Sequence, residues 1–119
     1  MLPESPDDTR PLTENTVRFS GHLLERDALR YTPARLPVVK FRVGHKSKQV
    51  EGEVEREVSC EIEASAIGAL AHQINALPPG SLLRLEGFLA SRSLKSKMPV
   101  LHVRTVELLE GTQNGFQTW

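Results

Sequence analysis

The side chains that could do chemistry in this sequence are mostly cations, and they come in runs. Residues 35–48 hold Arg35, Lys40, Arg42, Lys46 and Lys48 with no acid among them. Residues 91–104 hold Arg92, Lys95, Lys97 and Arg104, again with none. Cations spaced along a surface can follow the phosphates of a nucleic acid strand, and flat side chains give unpaired bases something to stack on. The cations are plentiful and the flat groups are scarce, with four Phe, one Tyr and one Trp in 119 residues. Tyr31, beside Arg30 in a polar stretch, is the stacking candidate; Phe19, Phe41 and Phe88 fall where a core would take them.

Other chemistries are poorly served. His22, His45, His72 and His102 lie on four different predicted elements with no i, i+4 pair, so they form no metal-binding pattern. One cysteine, Cys60, excludes an internal disulfide and a cysteine-rich zinc site, and the alternation Val58, Cys60, Ile62 predicts a small buried side chain there. No nucleophile–base arrangement, phosphate-cradling glycine motif or cofactor motif is visible, so the reading is a non-enzymatic protein without a cofactor. No apolar run approaches the roughly 20 residues of a membrane span. The start, "MLPESPDDTRPLTEN", is acidic and proline-bearing, unlike a signal peptide, so a cytoplasmic protein is expected.

The net charge is zero, but its distribution is not even. The first sixteen residues sum to −3, residues 35–48 to +5, residues 49–63 to −5, and residues 91–104 to +4. Segregation of this kind lets a neutral protein present a basic face.

The elements that must position these groups follow from hydrophobic period. Residues 1–14 read as a disordered leader, rich in Pro, Asp and Glu. A first strand alternates Val17, Phe19 and Gly21 against Arg18, Ser20 and His22, and Leu23 and Leu24 extend it. "RYTPARLP" (30–37) breaks the pattern as a loop. In a second strand Val39, Phe41 and Val43 point inward while Lys40 and Arg42 point out. "GHKSKQVEGEVERE" (44–57) reads as a long polar connection. A third strand places Val58, Cys60 and Ile62 inside and Ser59, Glu61 and Glu63 outside. The period then changes. Ser65 is a plausible N-cap for a helix over "AIGALAHQINAL", which "PPG" (78–80) stops. A fourth strand alternates Leu83, Leu85, Gly87 and Leu89. A fifth alternates Leu101 and Val103, then Val106 and Leu108, with a bulge predicted near Thr105. Residues 111–119, with Phe116 and Trp119, read as a flexible tail.

Three strands, one helix and two strands, all within residues 15–110, is the order of the OB-fold, an all-β five-stranded Greek-key barrel with its helix between strands three and four. Such barrels bind oligonucleotides through one sheet face and the loops after the first and fourth strands. Both loops here are basic: "RYTPAR" and "SRSLKSK". The expected binding residues are therefore Arg30, Tyr31, Arg35, Lys40, Arg42, Lys46, Lys48, Ser59, Arg92, Lys95 and Lys97. The flexible, cationic loop 91–97 is the centre of that site.

With "FSG" (19–21), "SKM" (96–98), "LH" (101–102) and "VELLEG" (106–111) in collinear order, the barrel resembles the primosomal replication protein N, or PriB, family of bacterial replication restart. The resemblance implies a homodimeric, non-enzymatic relative of single-stranded DNA-binding protein. Its partners would be single-stranded DNA, the PriA helicase and other primosome proteins. The family's cationic DNA contacts carry over to Arg30, Lys46, Arg92, Lys95 and Lys97. Its third-strand aromatic does not: Ser59 stands there. The competing readings are a general single-stranded DNA-binding protein, an RNA-binding OB domain, and a protein-docking module with weak nucleic-acid binding. The first of these families ends in an acidic tip, whereas "GTQNGFQTW" carries no acid.

Overall fold

Alternation of small and branched apolar residues sets the architecture, because every second residue of a strand points to the same face. The computed structural model describes residues 13–110. Six strands and one helix follow in the order β1 (Val17–Arg26), β2 (Arg30–Tyr31), β3 (Pro37–Glu51), β4 (Val54–Ile67), α1 (Ala69–Asn75), β5 (Leu82–Ser91) and β6 (Pro99–Glu110). The expected leader, save Thr13 and Glu14, and the expected tail with Phe116 and Trp119 lie outside the described residues.

Strands β1, β3, β4, β6 and β5 form a closed ring: β1 pairs with both β5 and β3, β3 with β4, and β5 with β6. A short parallel ladder between β4 and β6 completes it, with Ala64 beside Leu101 and Ser65 beside His102. This is the OB-fold barrel. Its interior takes Leu23, Val39, Phe41, Val43, Ala64, Ala66, Leu83, Leu85, Leu101 and Val103, all buried. Ala71 and Ile74 of α1 complete the core, and Arg26 anchors the helix end, its Nη1 donating to the carbonyls of Ile74 and Leu77.

The predicted bulge is present. Glu86 pairs with Thr105 and Gly87 with Val103, so Arg104 is the extra residue of β6. At Gly87 the two strands come so close that an added Cβ would lie 1.9 Å from the His102 carbonyl oxygen.

Several expectations need correction. The stretch 44–57 is not a connection but the body of a hairpin: β3 and β4 pair without a slip from Val38–Ile67 out to Glu51–Val54. Only Gly52 and Glu53 turn the chain, both at positive φ (60° and 67°), as a two-residue turn that matches strand twist requires. Glu53 bears the strain that a second glycine would avoid. Cys60 is exposed rather than buried, because here the hairpin has run past its short β6 ladder at Ala64–Ser65. Ser65 is no N-cap: it is buried within β4, and α1 begins after Gly68 with no capping side chain. The predicted loop 30–37 opens with β2, whose Arg30 and Tyr31 pair with Val38 and Pro37. Phe88 points out of the barrel, opposite in phase to the buried Leu85 and Gly87.

Candidate nucleic-acid interface

Outward positions on β3 carry the cations of the second strand. Lys40, Arg42, Lys46 and Lys48 are exposed and in phase, while Val39, Phe41 and Val43 fill the barrel. The antiparallel hairpin then decides what stands beside them. Lys40 is opposite Ser65, Arg42 opposite Glu63, Lys46 opposite Ser59 and Lys48 opposite Glu57. A fold-back around Gly52 lays the acidic run against the basic one. The outer face of β3 and β4 is therefore a mixed ladder of charges, not the purely basic face expected from the segregated sequence, and cross-strand pairs of opposite sign favour it.

At one end of this face a third cation joins from another part of the chain. Arg92, at the start of the loop between β5 and β6, reaches across to β4, with its Nε 3.4 Å from Glu63 Oε2. On the other side Arg42 Nε lies 3.9 Å from Glu25 Oε2. A cavity of about 230 Å³ joins Lys40, Arg42 and Arg92 with Glu25, Asp27, Glu63 and Phe41. Lys40 and Arg42, from one strand, thus meet Arg92, remote in sequence, around three carboxylates.

The loop itself is more ordered than expected. The Arg92 amide donates to the Met98 carbonyl, and the Ser93 amide to the Ser96 carbonyl. Ser93 Oγ accepts from the amides of Lys95 and Ser96. These bonds fold the segment into a tight turn that holds Lys95 and Lys97 exposed. Leu94, just before them, is 95 % exposed.

Ser59 and Lys46 share a second cavity on the same outer face, of about 600 Å³, with His22, Leu24, Gly44 and Glu61. Ser59 is exposed and outward, so the position expected to meet bases does face solvent, but with a hydroxyl in place of a ring.

Arg30 and Tyr31 lie at the edge of the sheet on β2, beside Lys40 in a cavity of about 190 Å³ with Asp27 and Thr32. Tyr31 is 62 % exposed, open to solvent at the sheet edge. Arg35 sits in the turn beyond, at φ 69°, its amide donating to the Thr32 carbonyl. Lys48 lies far out along the hairpin, away from the Arg92 cluster. The structure thus gathers Lys40, Arg42 and Arg92, places Arg30 and Tyr31 next to Lys40, and spreads Lys46, Ser59 and Lys48 along the hairpin.

Two carboxylates at the centre of this site, Glu25 and Glu63, were not among the residues expected from sequence. The only signal for Glu63 is its outward phase opposite Arg42, which requires knowing the hairpin register. Elsewhere, burial pushes the His22 imidazole below its usual range, with Glu110 acting in the opposite sense. Among the described residues no group of His, Cys, Asp and Glu is arranged to hold a metal ion. Among them, too, no helix is long and apolar enough to cross a membrane.

Comparison with known proteins agrees with this architecture. Residues 15–105 match the model of a family described as another single-strand binding protein family. The replication restart protein PriB of Nitrosomonas europaea is 35% identical over 109 residues, which cover 92% of this chain and all of that one. The PriB of Bordetella pertussis is also 35% identical, over 82% of this chain and 92% of its own. Among solved structures, PriB from Ralstonia solanacearum superposes with a TM-score of 0.75 at 32% identity, covering 82% of this chain and all of that one. The single-stranded DNA-binding protein of Thermus aquaticus superposes with a TM-score of 0.67 at 25% identity, over 84% of this chain and 52% of its own. By its barrel, by identity along nearly its whole length and by superposition, the chain belongs to the PriB family of replication restart proteins.

Proposed function

We propose that this protein is a non-enzymatic single-stranded DNA-binding component of replication restart, acting in the cytoplasm as a homodimer that assists the PriA helicase and other primosome proteins. The observation that carries the DNA-binding part is the meeting of Lys40, Arg42 and Arg92 on one outer barrel face, next to the exposed Lys95 and Lys97. Phosphates would run from Arg30 and Arg35 past Lys40 and Arg42 to the Arg92 loop, with Tyr31 stacking on a base. Lys46, Ser59 and Lys48 would line an extension along the hairpin. Residues 15–110 would form the binding unit, with leader and tail outside it.

Stacking groups are few on this face, so most of the binding free energy would come from release of counterions from phosphates. Binding would then be weak at physiological salt and steeply salt-dependent. The deciding experiment is titration of a labelled oligo-dT strand at several salt concentrations. Saturable binding with a steep negative slope of log affinity against log salt is expected. A protein-docking module would show no saturable binding even at low salt, and tighter binding to oligo-U than to oligo-dT would favour an RNA-binding domain.

The dimer rests on a strand edge. β1 pairs with β5 from Val17 to His22, but with β3 only from His22 onward. Among the described residues the second edge of Val17–Gly21 thus has no partner strand, only the Ser20 carbonyl meeting His45 Nδ1, and an open edge of this kind can pair with a second chain. The proposed interface is Thr16–Leu24. Sedimentation showing a monomer at micromolar concentration would sink it.

A further inference from the structure

We propose that Phe88, His102 and Arg104, on the outer face of β5 and β6, form a platform for an unpaired nucleobase, onto which a single strand continues after the Arg92 loop. The proposal rests on the single-stranded DNA reading above and adds residues that reading does not use.

Strand phase brings these groups together. Leu101 and Val103 are buried, so His102 between them points out; Gly87 faces the interior, so Phe88 points out beside it. The two residues are register partners, and the close strand approach at Gly87 holds their backbones together. Their rings stack with centroids 5.3 Å apart and planes inclined by only 5°. The bulge leaves Arg104 out of the ladder, and its guanidinium lies 5.6 Å from the Phe88 ring centroid. A flat ring covered by an exposed, flexible cation is a stacking site with its phosphate ligand already beside it. A base would take the guanidinium's place over Phe88, and Arg104 would move to the adjoining phosphate.

The location fits a continuous path. His102 lies beside Ser65, which faces Lys40, so the ring pair shares one row of the outer surface with a residue of the proposed site. Phe88 is four residues before Arg92, which opens the loop after β5, roughly 13 Å at strand rise and a distance a few nucleotides span.

An aromatic pair on a sheet also stabilises the sheet, so the test must read bases and not folding alone. Anisotropy titrations would use labelled oligo-dT of about 16 nucleotides, the upper site size of an OB-fold, and a strand of equal length without bases. Phe88→Leu is expected to weaken oligo-dT binding about tenfold, leave the base-free strand unaffected and keep the salt slope. Arg104→Gln is expected to flatten the slope by roughly 0.7, one phosphate's share. In Phe88→Trp, oligo-dT should quench indole fluorescence beyond the change seen for Trp119 in the parent protein. Equal affinities for Phe88→Leu and parent, equal losses on both strands, or an unquenched Phe88→Trp would each overturn the platform. The quenching decides the matter even if Phe88→Leu fails to fold. Failure of the parent to bind either strand would instead bring down the DNA reading itself, and the platform with it.

Discussion

Arg92, on the loop after β5, and Glu63, on β4, face each other with Nε and Oε2 3.4 Å apart, although 29 positions separate them in the chain. Glu63 is the less exposed partner, at 21% of its side chain against 54% for Arg92. The carboxylate ties the base of the loop to the barrel and shares its cavity with Arg42 and Arg92. On the proposed DNA path it would repel an incoming phosphate.

Replacing that carboxylate should therefore strengthen binding. For Glu63→Gln we expect oligo-dT affinity to rise about fivefold, from about 1 kcal/mol of repulsion at this separation in a water-like medium. Folding should change little, because Arg92 is more than half exposed and water screens the pair. A fall in affinity, measured by anisotropy, would mean that Glu63 positions Arg92 for DNA instead of competing with it.

The loop cations carry a separate prediction. If Arg92, Lys95 and Lys97 each meet one phosphate, replacing all three with Ala should flatten the salt slope by about 2 per protomer. Affinity should drop for every sequence alike. A triple variant that kept its slope would remove the loop from the DNA path.

Ser59 offers a gain instead of a loss. It is outward, exposed and opposite Lys46, so Ser59→Trp would place a ring on the outer face of the hairpin. Stacking contributes roughly 1–3 kcal/mol per base, so oligo-dT should bind about tenfold more tightly. Unchanged affinity in a folded variant would show that bases do not reach the hairpin.

Acid should destabilise the barrel through His22. Burial holds its imidazole below the ordinary value of 6.5, so the unfolded chain takes up the proton more readily than the folded one. The stability this group contributes is full above about 6.5, and it falls as pH drops from there towards the lowered native value. His22→Gln should lose that part of the pH dependence. Urea melts of both proteins between pH 7.5 and 5 would check it, and parallel pH profiles would count against it.

Much of the barrel was legible from the sequence, because burial on one face imposes a period of two and the core obeys it: Val39, Phe41 and Val43, then Leu83 and Leu85, then Leu101 and Val103. The break near Thr105 was readable for the same reason, since a bulge shifts that period by one residue. The helix between the third and fourth strands was readable too, though Ser65 misled its start; a serine can cap a helix or lie buried in a strand, and only the β4–β6 ladder beside it decides. The outer half of the hairpin was not legible. With no core beneath residues 45–58, their polar sequence carries no apolar alternation, and the Gly52–Glu53 turn lacks the Asn-Gly or Asp-Gly signal that marks such hairpins. The same absence of a core left Cys60 exposed. Above all, the sequence kept positive and negative runs apart, while the register of β3 on β4 set Glu63 against Arg42 and Glu57 against Lys48. Charge along a chain is local information, but charge on a surface depends on which strands pair, and only the folded barrel decided that.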